Sequence, residues 1–308
     1  MIVRPHKTTH SVTTLLFALR GSIVPIIWPR VVYTMLLSLA VVIAERRGIA
    51  VAFTLNAAPL TLLGLTLAIF LQFRNSVAYQ RWWEGRTLWG ELVICARNLV
   101  RQTGAFMPAL DAAERRALVH GLIGFVHALR HHLRGTPPEE DLARWLGTEA
   151  SDRLKTARNC PNLILDALSR DIGKAARDTG TDSILQARMD EELDRLSHVL
   201  GGCERIKSTP IPFTYILLLH RTVHVYCFML PFCLIGPLGW FTPLVVGVIA
   251  YTFFGLDAIG EQIEDPFDRL PNDLPLDALS RNIEIDLLSQ LGDTDLPPPL
   301  EPKDFVLL

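Results

Sequence analysis

VAFTLNAAPLTLLGLTLAIFLQF, residues 51–73, runs directly into RNSVAYQRWWEGRTLWGE, residues 74–91, and this junction decides how the chain is read. No charged residue occurs from Val51 to Phe73. At about 1.5 Å per helical residue, that run is long enough to cross the roughly 30 Å hydrocarbon core of a bilayer. It stops at Arg74. Arg81, Glu84, Arg86 and Glu91 then alternate with Tyr79, Trp82, Trp83 and Trp89. Amphipathic rings and arginines are favoured where an apolar helix leaves a membrane. No proline falls between Leu60 and Gln102, and Gly64, Gly85 and Gly90 are isolated. The pattern predicts one long helix, or two nearly collinear ones, leading from a membrane into a polar domain.

Outward from this stretch, composition agrees. Mean hydropathy is positive although a fifth of the residues are charged, which suits membrane hairpins attached to a polar domain. A net charge of −2 offers no nucleic-acid footprint. The five cysteines are scattered and make no CxxC pair, so neither a disulfide framework nor a metal knuckle is expected. No cleavable signal peptide is evident in the basic N-terminal stretch.

Residues 1–21 predict an amphipathic segment lying on the membrane surface. Residues 22–73 form a first hairpin, turned at Glu45-Arg46-Arg47-Gly48. Residues 74–212 carry apolar positions every three or four residues, as in Leu118, Leu122, Phe125, Leu129 and Leu133. Breaks at 135–138, 159–162 and 178–182 divide them into four or five helices of a soluble bundle, with no sheet. From Thr222 to Gly255 no Asp, Glu, Lys or Arg appears. Residues 213–256 therefore read as a second hairpin, with Gly236-Pro237-Leu238-Gly239-Trp240 as its turn. Residues 257–308 are acidic, punctuated by proline and extended at the end, placed to lie along a neighbour. Two hairpins put both termini and the middle domain on one side. Arg4, Lys7, Arg20, Arg74, Arg81 and Arg86 mark that side as cytoplasmic, against a contrary Arg46-Arg47 pair.

Three blocks carry a family resemblance: FRNSVAYQRWWEGRTLWGELV, GCERIKSTPIPFTYILLLHRTV, and GLDAIGEQIEDPFDRLPNDLPLDAL with IEIDLL. In order and spacing the chain resembles the bacterial branch of the bestrophin family, over about residues 1–290. The resemblance implies an all-α membrane protein of the bacterial inner membrane, with four transmembrane helices in two hairpins and a cytosolic helical bundle. It implies a homopentamer in a lipid bilayer, built around a central axial pore that passes small monovalent ions. The family is best known for anions such as chloride; a cation stays open for the bacterial branch. The pore neck maps by the i, i+4, i+8 rule to Leu62, Thr66 and Phe70, where Thr66 departs from the family's apolar habit. A cytosolic constriction maps to Ile184. Eukaryotic members hold calcium on an acidic run. Here Arg269, Leu270 and Pro271 break that run, and calcium gating is not expected.

Each of these residues also has a plainer reading. Leu62, Thr66 and Phe70 could simply pack helix to helix. Arg74, Arg81 and Arg86 could draw anions to an inner mouth, or could pair with Glu84, Glu91 or the acidic C-terminal segment. Glu264, Asp265, Asp268 and Asp273, with Glu261, form a candidate cation site or a wrapping segment whose acids meet bases of an adjacent subunit. His220 with His224, and His127 with His131, have the spacing of a zinc pair but no third ligand. The first pair reads as hydrogen-bonding residues near the interface, the second as a solvated helix face. No metal and no cofactor is expected, and no nucleophile-and-base motif, phosphate loop or dinucleotide fingerprint points to an enzyme. The alternative to a channel is a membrane-anchored scaffold or sensor whose bundle binds a partner. A secondary transporter is disfavoured, because the runs 51–73 and 222–255 hold no charge and no inverted repeat shows.

Overall fold

The computed structural model describes residues 1–2, 21–49, 57–303 and 305–308. The surface segment expected within residues 1–21 lies almost wholly outside the described residues, as do Val51–Asn56 of the central run. Among the described residues the chain is helical, with two isolated bridges and no strand. The helices are α1 (Val24–Arg46), α2 (Ala57–Phe106), α3 (Ala112–Arg134), α4 (Glu139–Leu146), α5 (Thr148–Leu154), α6 (Cys160–Asp178), α7 (Ser183–Ser208), α8 (Phe213–Leu238), α9 (Thr242–Glu264) and α10 (Leu276–Leu291). Three stretches are long and apolar enough to cross a membrane: Val24–Arg46, Ala58–Phe106 and Phe213–Glu264. The last is folded as α8 and α9, joined by a 3-10 turn at Gly239–Phe241. The chain turns about three residues later than the Gly-Pro signal suggests. Pro237 falls in the last turn of α8, and Gly239 (φ 50°, ψ −120°) supplies a positive-φ conformation that ends it.

The chain divides into two compact units. An apolar unit takes residues 4–82 and 210–265; a polar unit takes residues 1–3, 83–209 and 266–308. These borders lie nine residues beyond two of the expected ones, after residues 73 and 256, and three residues before the third, after residue 212. Helical hydrogen bonding in α2 and α9 continues past the first charged residues, because those charges find partners within the apolar unit.

In the apolar unit α9 packs on α1 and α8, around Ile27, Val223, Cys227, Val246 and Phe254, and Leu67 of α2 joins this core. Gly64 is a notch in α2. A methyl group there would stand 2.5 Å from the Tyr226 hydroxyl, so only glycine admits that ring.

In the polar unit α3 packs on α4, α6 and α10. The stripe Leu118, Leu122, Phe125, Leu129 and Leu133 is buried throughout, each side chain contributing about 1.5–3 kcal/mol. Local chemistry sets the helix ends. Asp111, Asn159 and Asp182 accept hydrogen bonds from Ala113, Asn162 and Ile184 N–H groups, and Gly135 (φ 63°) closes α3 in the left-handed conformation. The extended C-terminal segment bridges back to its own chain, with Val306 opposite Ile2 and the Leu307 N–H donating to the Met1 carbonyl at 2.9 Å. The expected neighbour of this segment is thus, in part, the chain's own beginning.

Candidate functional site

Burial along α2 separates two faces. Gly64, Leu67, Leu71, Arg74 and Ala78 are buried, at the three- and four-residue steps of one helical stripe. On the other side Leu62 is 68% exposed and Phe70 49%, with Thr66 exposed between them. The Thr66 hydroxyl donates to the Leu62 carbonyl at 2.9 Å. Its proton is therefore spent on its own helix, and its methyl group takes part in an otherwise apolar row. Leu65, Ile69 and Phe73 are more than 60% exposed beside that row. The Phe70 carbonyl accepts from the Tyr215 hydroxyl of α8 at 3.1 Å.

At the end of this row the first charge, Arg74, is turned away. It is 2% exposed. Its Nη1 meets Asp257 Oδ1 at 2.7 Å, and its Nη2 lies 3.5 Å from Glu264 Oε2. The other Asp257 oxygen, Oδ2, meets His220 Nδ1 at 2.8 Å. The His224 ring lies 4.4 Å from that of His220, tilted by 49°, and its Nδ1 donates to the His220 carbonyl at 2.8 Å. The pair thus serves hydrogen bonding. The neighbouring Asn75 amide donates to the Leu256 carbonyl at 3.0 Å. Arg81 Nε donates to the Glu264 carbonyl at 2.9 Å, and its Nη2 lies 3.5 Å from Asp265. Arg74 and Arg81 therefore take the pairing role rather than that of a basic mouth. Neither Asp257 nor the Tyr215 contact was singled out from sequence. A signal existed: Arg74 and Asp257 are each the first charge after a long uncharged run, with opposite signs.

The four acids of the candidate cation site are spread over both units. Glu264 and Asp265 close α9 and face Arg74 and Arg81. In the polar unit Asp268 accepts from Lys207 at 2.8 Å, and Asp273, 1% exposed, accepts from the Leu270 N–H at 2.6 Å. Glu264, Asp265 and Asp268 thus each meet a base of this chain. Among the described residues no group of three or more His, Cys, Asp or Glu is placed to hold a metal ion. Ile184 stands in the first turn of α7, 71% exposed, on the turn that Asp182 caps.

His127 departs from its reading as part of a solvated face. It is 3% exposed, because α4 and α10 cover that side of α3.

A model of the bacterial and fungal bestrophin protein family matches residues 1–289. The chain belongs to the bestrophin family. It is 41% identical over 305 residues to a voltage-dependent anion channel-forming protein of Mesorhizobium japonicum, covering 99% of this chain and 96% of that one. It is 40% identical to the voltage-dependent anion channel-forming protein YneE of Escherichia coli, with 98% of each chain covered. A crystal structure of a bacterial bestrophin homolog from Klebsiella pneumoniae superposes with a TM-score of 0.83 at 41% identity, over 87% of this bestrophin and 99% of that chain.

Proposed function

We propose that this bestrophin is a homopentameric channel of the bacterial inner membrane that passes small monovalent anions, chloride among them, down their gradient. The observation that carries the reading is the exposed apolar row of α2 set against its buried stripe. At roughly 100° per residue, the exposed arc has two flanks, one centred on Leu62, Thr66 and Phe70, the other on Leu65 and Gln72. A second copy can cover one flank while the other faces an axis. A ring that closes through such heterologous contacts gives five equivalent rows around one path. Trp28 and Leu36 of α1 and Leu244 and Val248 of α9 remain exposed and suit acyl chains.

Rings of Leu62 and Phe70 form a hydrophobic neck that gates by dewetting, and Ile184 forms a second constriction in a cytosolic bundle. The buried, matched Arg74 adds no positive charge to the neck. Anion preference then rests on the positive rims of Phe70 and Phe73 and on the relatives' named activity. The test is reconstitution in a planar bilayer under a sodium chloride gradient. A reversal potential near the chloride value is expected, with conductance raised in Leu62→Ala and Phe70→Ala and a pentamer mass retained. A potential near the sodium value overturns the selectivity. A folded protein that is monomeric or dimeric, and passes no current, overturns the channel in favour of a membrane-anchored scaffold.

A further inference from the structure

His127, in the middle of α3, has a carboxylate oxygen at each ring nitrogen. Nε2 lies 3.2 Å from Glu284 Oε2 on α10, and Nδ1 lies 3.5 Å from Asp141 Oδ2 on α4. A neutral imidazole has one N–H and one lone pair, so it would aim the lone pair at an acid. The imidazolium alone offers a proton to both.

The groups around it belong to three helices. On α3, His131 Nε2 meets Asp141 at 2.8 Å, Arg130 pairs with Asp141 and lies 3.1 Å from Asp277, and Arg134 lies 2.7 Å from Asp277. From α4 come Asp141, Arg144 at 3.4 Å from Glu284, and the Trp145 ring stacked 6.4 Å from the imidazole. From α10 come Asp277, the wholly buried Glu284, and Arg281 at 3.6 Å from it. Burial by itself drives the His127 pKa down. The carboxylates of Asp141 and Glu284, the second hydrogen-bonded to it, outweigh burial and hold it above the ordinary histidine value.

We propose that His127 is a proton-operated clasp that holds α10 against α3. A histidine whose folded pKa is raised lends stability that is complete below its unfolded value, about 6.5, and is lost as pH rises through the folded one. The clasp is closed in mildly acidic surroundings and loosens on the alkaline side. Its release reaches α2 as well, because Asp286 of α10 is ion-paired with Arg97. α2 is the unbroken helix that carries Leu62 and Phe70. The consequence for ion flow rests on the channel reading above; the clasp itself does not.

Hydrogen exchange of the purified full-length protein tests it. Protection of α10 amides, corrected for intrinsic exchange, falls between about pH 6 and about pH 8.5, by up to about tenfold for each pKa unit by which His127 is raised. His127→Gln flattens that dependence. His131→Gln keeps it, because the partners of His131 are Asp141 and Thr136 rather than α10. Should His127→Gln fail to fold, Glu284→Gln removes the carboxylate partner and flattens the same curve. Protection of α10 that ignores pH in the native protein, or keeps its full dependence in Glu284→Gln or a folded His127→Gln, overturns the clasp. Currents recorded in parallel fall on alkalinisation of the bundle side, or rise, and lose that response in the flattened variant. Absence of current from a folded pentamer counts against an open channel and leaves the exchange result to decide the clasp.

Discussion

Among the described residues two histidines face buried acids, one in each unit, and the environments differ in how far the partner arginine reaches water. In the apolar unit, Asp257 is shared by Arg74 at 2.7 Å and His220 at 2.8 Å. The Arg74 and Asp257 side chains are both buried, so neither partner can turn to water. In the polar unit, Glu284 is shared by His127, Arg144 and Arg281, and His127 can discharge. Similar donors and acceptors therefore build a permanent lock in one place and a titrating contact in the other.

The largest expected effect comes from removing each acid. Asp257→Ala leaves Arg74, 2% exposed, with Glu264 at 3.5 Å as its remaining acid. The loss is about 3–5 kcal/mol, the cost of stranding a buried charge. It is read as a collapse of thermal stability in detergent. Glu284→Ala costs less, about 1–3 kcal/mol, because His127 sheds its proton and Arg144, with half its side chain exposed, turns to water. Equal losses at the two sites would erase the distinction.

A charge-free replacement sharpens it. Arg74→Met combined with Asp257→Leu removes both charges from an apolar setting. Such swaps are neutral or stabilising by about 1–4 kcal/mol in other buried pairs. The double variant is expected to recover most of the stability lost in Asp257→Ala, by the same melting measurement. If it melts as low as the single variant, the lock depends on the hydrogen bond between Asp257 and His220, lost in both variants, rather than on charge balance.

The acid side of the polar unit gives a smaller, signed effect. His127 first, and then the hydrogen-bonded His131, outweigh burial and hold the Asp141 carboxyl well below the usual carboxylate range. Its contribution is full above the unfolded value, about 3.9, and is lost only as pH falls through the folded one. With His127 shifted upward, the unit is expected to be most stable between the two titrations, from about pH 4 to about pH 6.5. Asp141→Asn lowers the melting temperature there and lessens the acid-side decline, which Asp277 still sustains in part. A native unit that loses no stability on going below about pH 4 would sink this assignment.

The sequence carried the helices but not these contacts, for physical reasons. Hydropathy and periodicity depend on one segment at a time, so the uncharged run ending at Phe73, the α3 stripe and the breaks at Gly135, Asn159 and Asp182 were legible. Pairing depends on two segments distant in the chain. Arg74 and Asp257 are 183 positions apart and His127 and Glu284 are 157 apart, and nothing local links either pair. His127 misled most, since its four-residue spacing to His131, beside Arg130 and His132, read as a wet face. The placement of Leu62, Thr66, Phe70 and Ile184 came from family resemblance, because an exposed apolar row reads alike whether lipid, a second copy or an ion path lies against it.

The smallest effect marks the limit of the comparison, a buried titratable group with no cation to claim it. Cys203, fully buried in α7, has its thiol pushed up to about 12 by burial, with Glu84 and Glu204 adding to the shift. Cys160, at the start of α6, is pushed up to about 11 by burial. Neither has a cation holding the thiolate, so burial acts unopposed and both stay neutral. A thiol reagent at about pH 8 should therefore label neither in the native protein, while an exposed thiol of pKa near 8.5 reacts readily. Denaturation should release both together. Fast native labelling of Cys203 would show that α7 opens locally, and that burial in the polar unit is less complete than the charged His127 cluster requires.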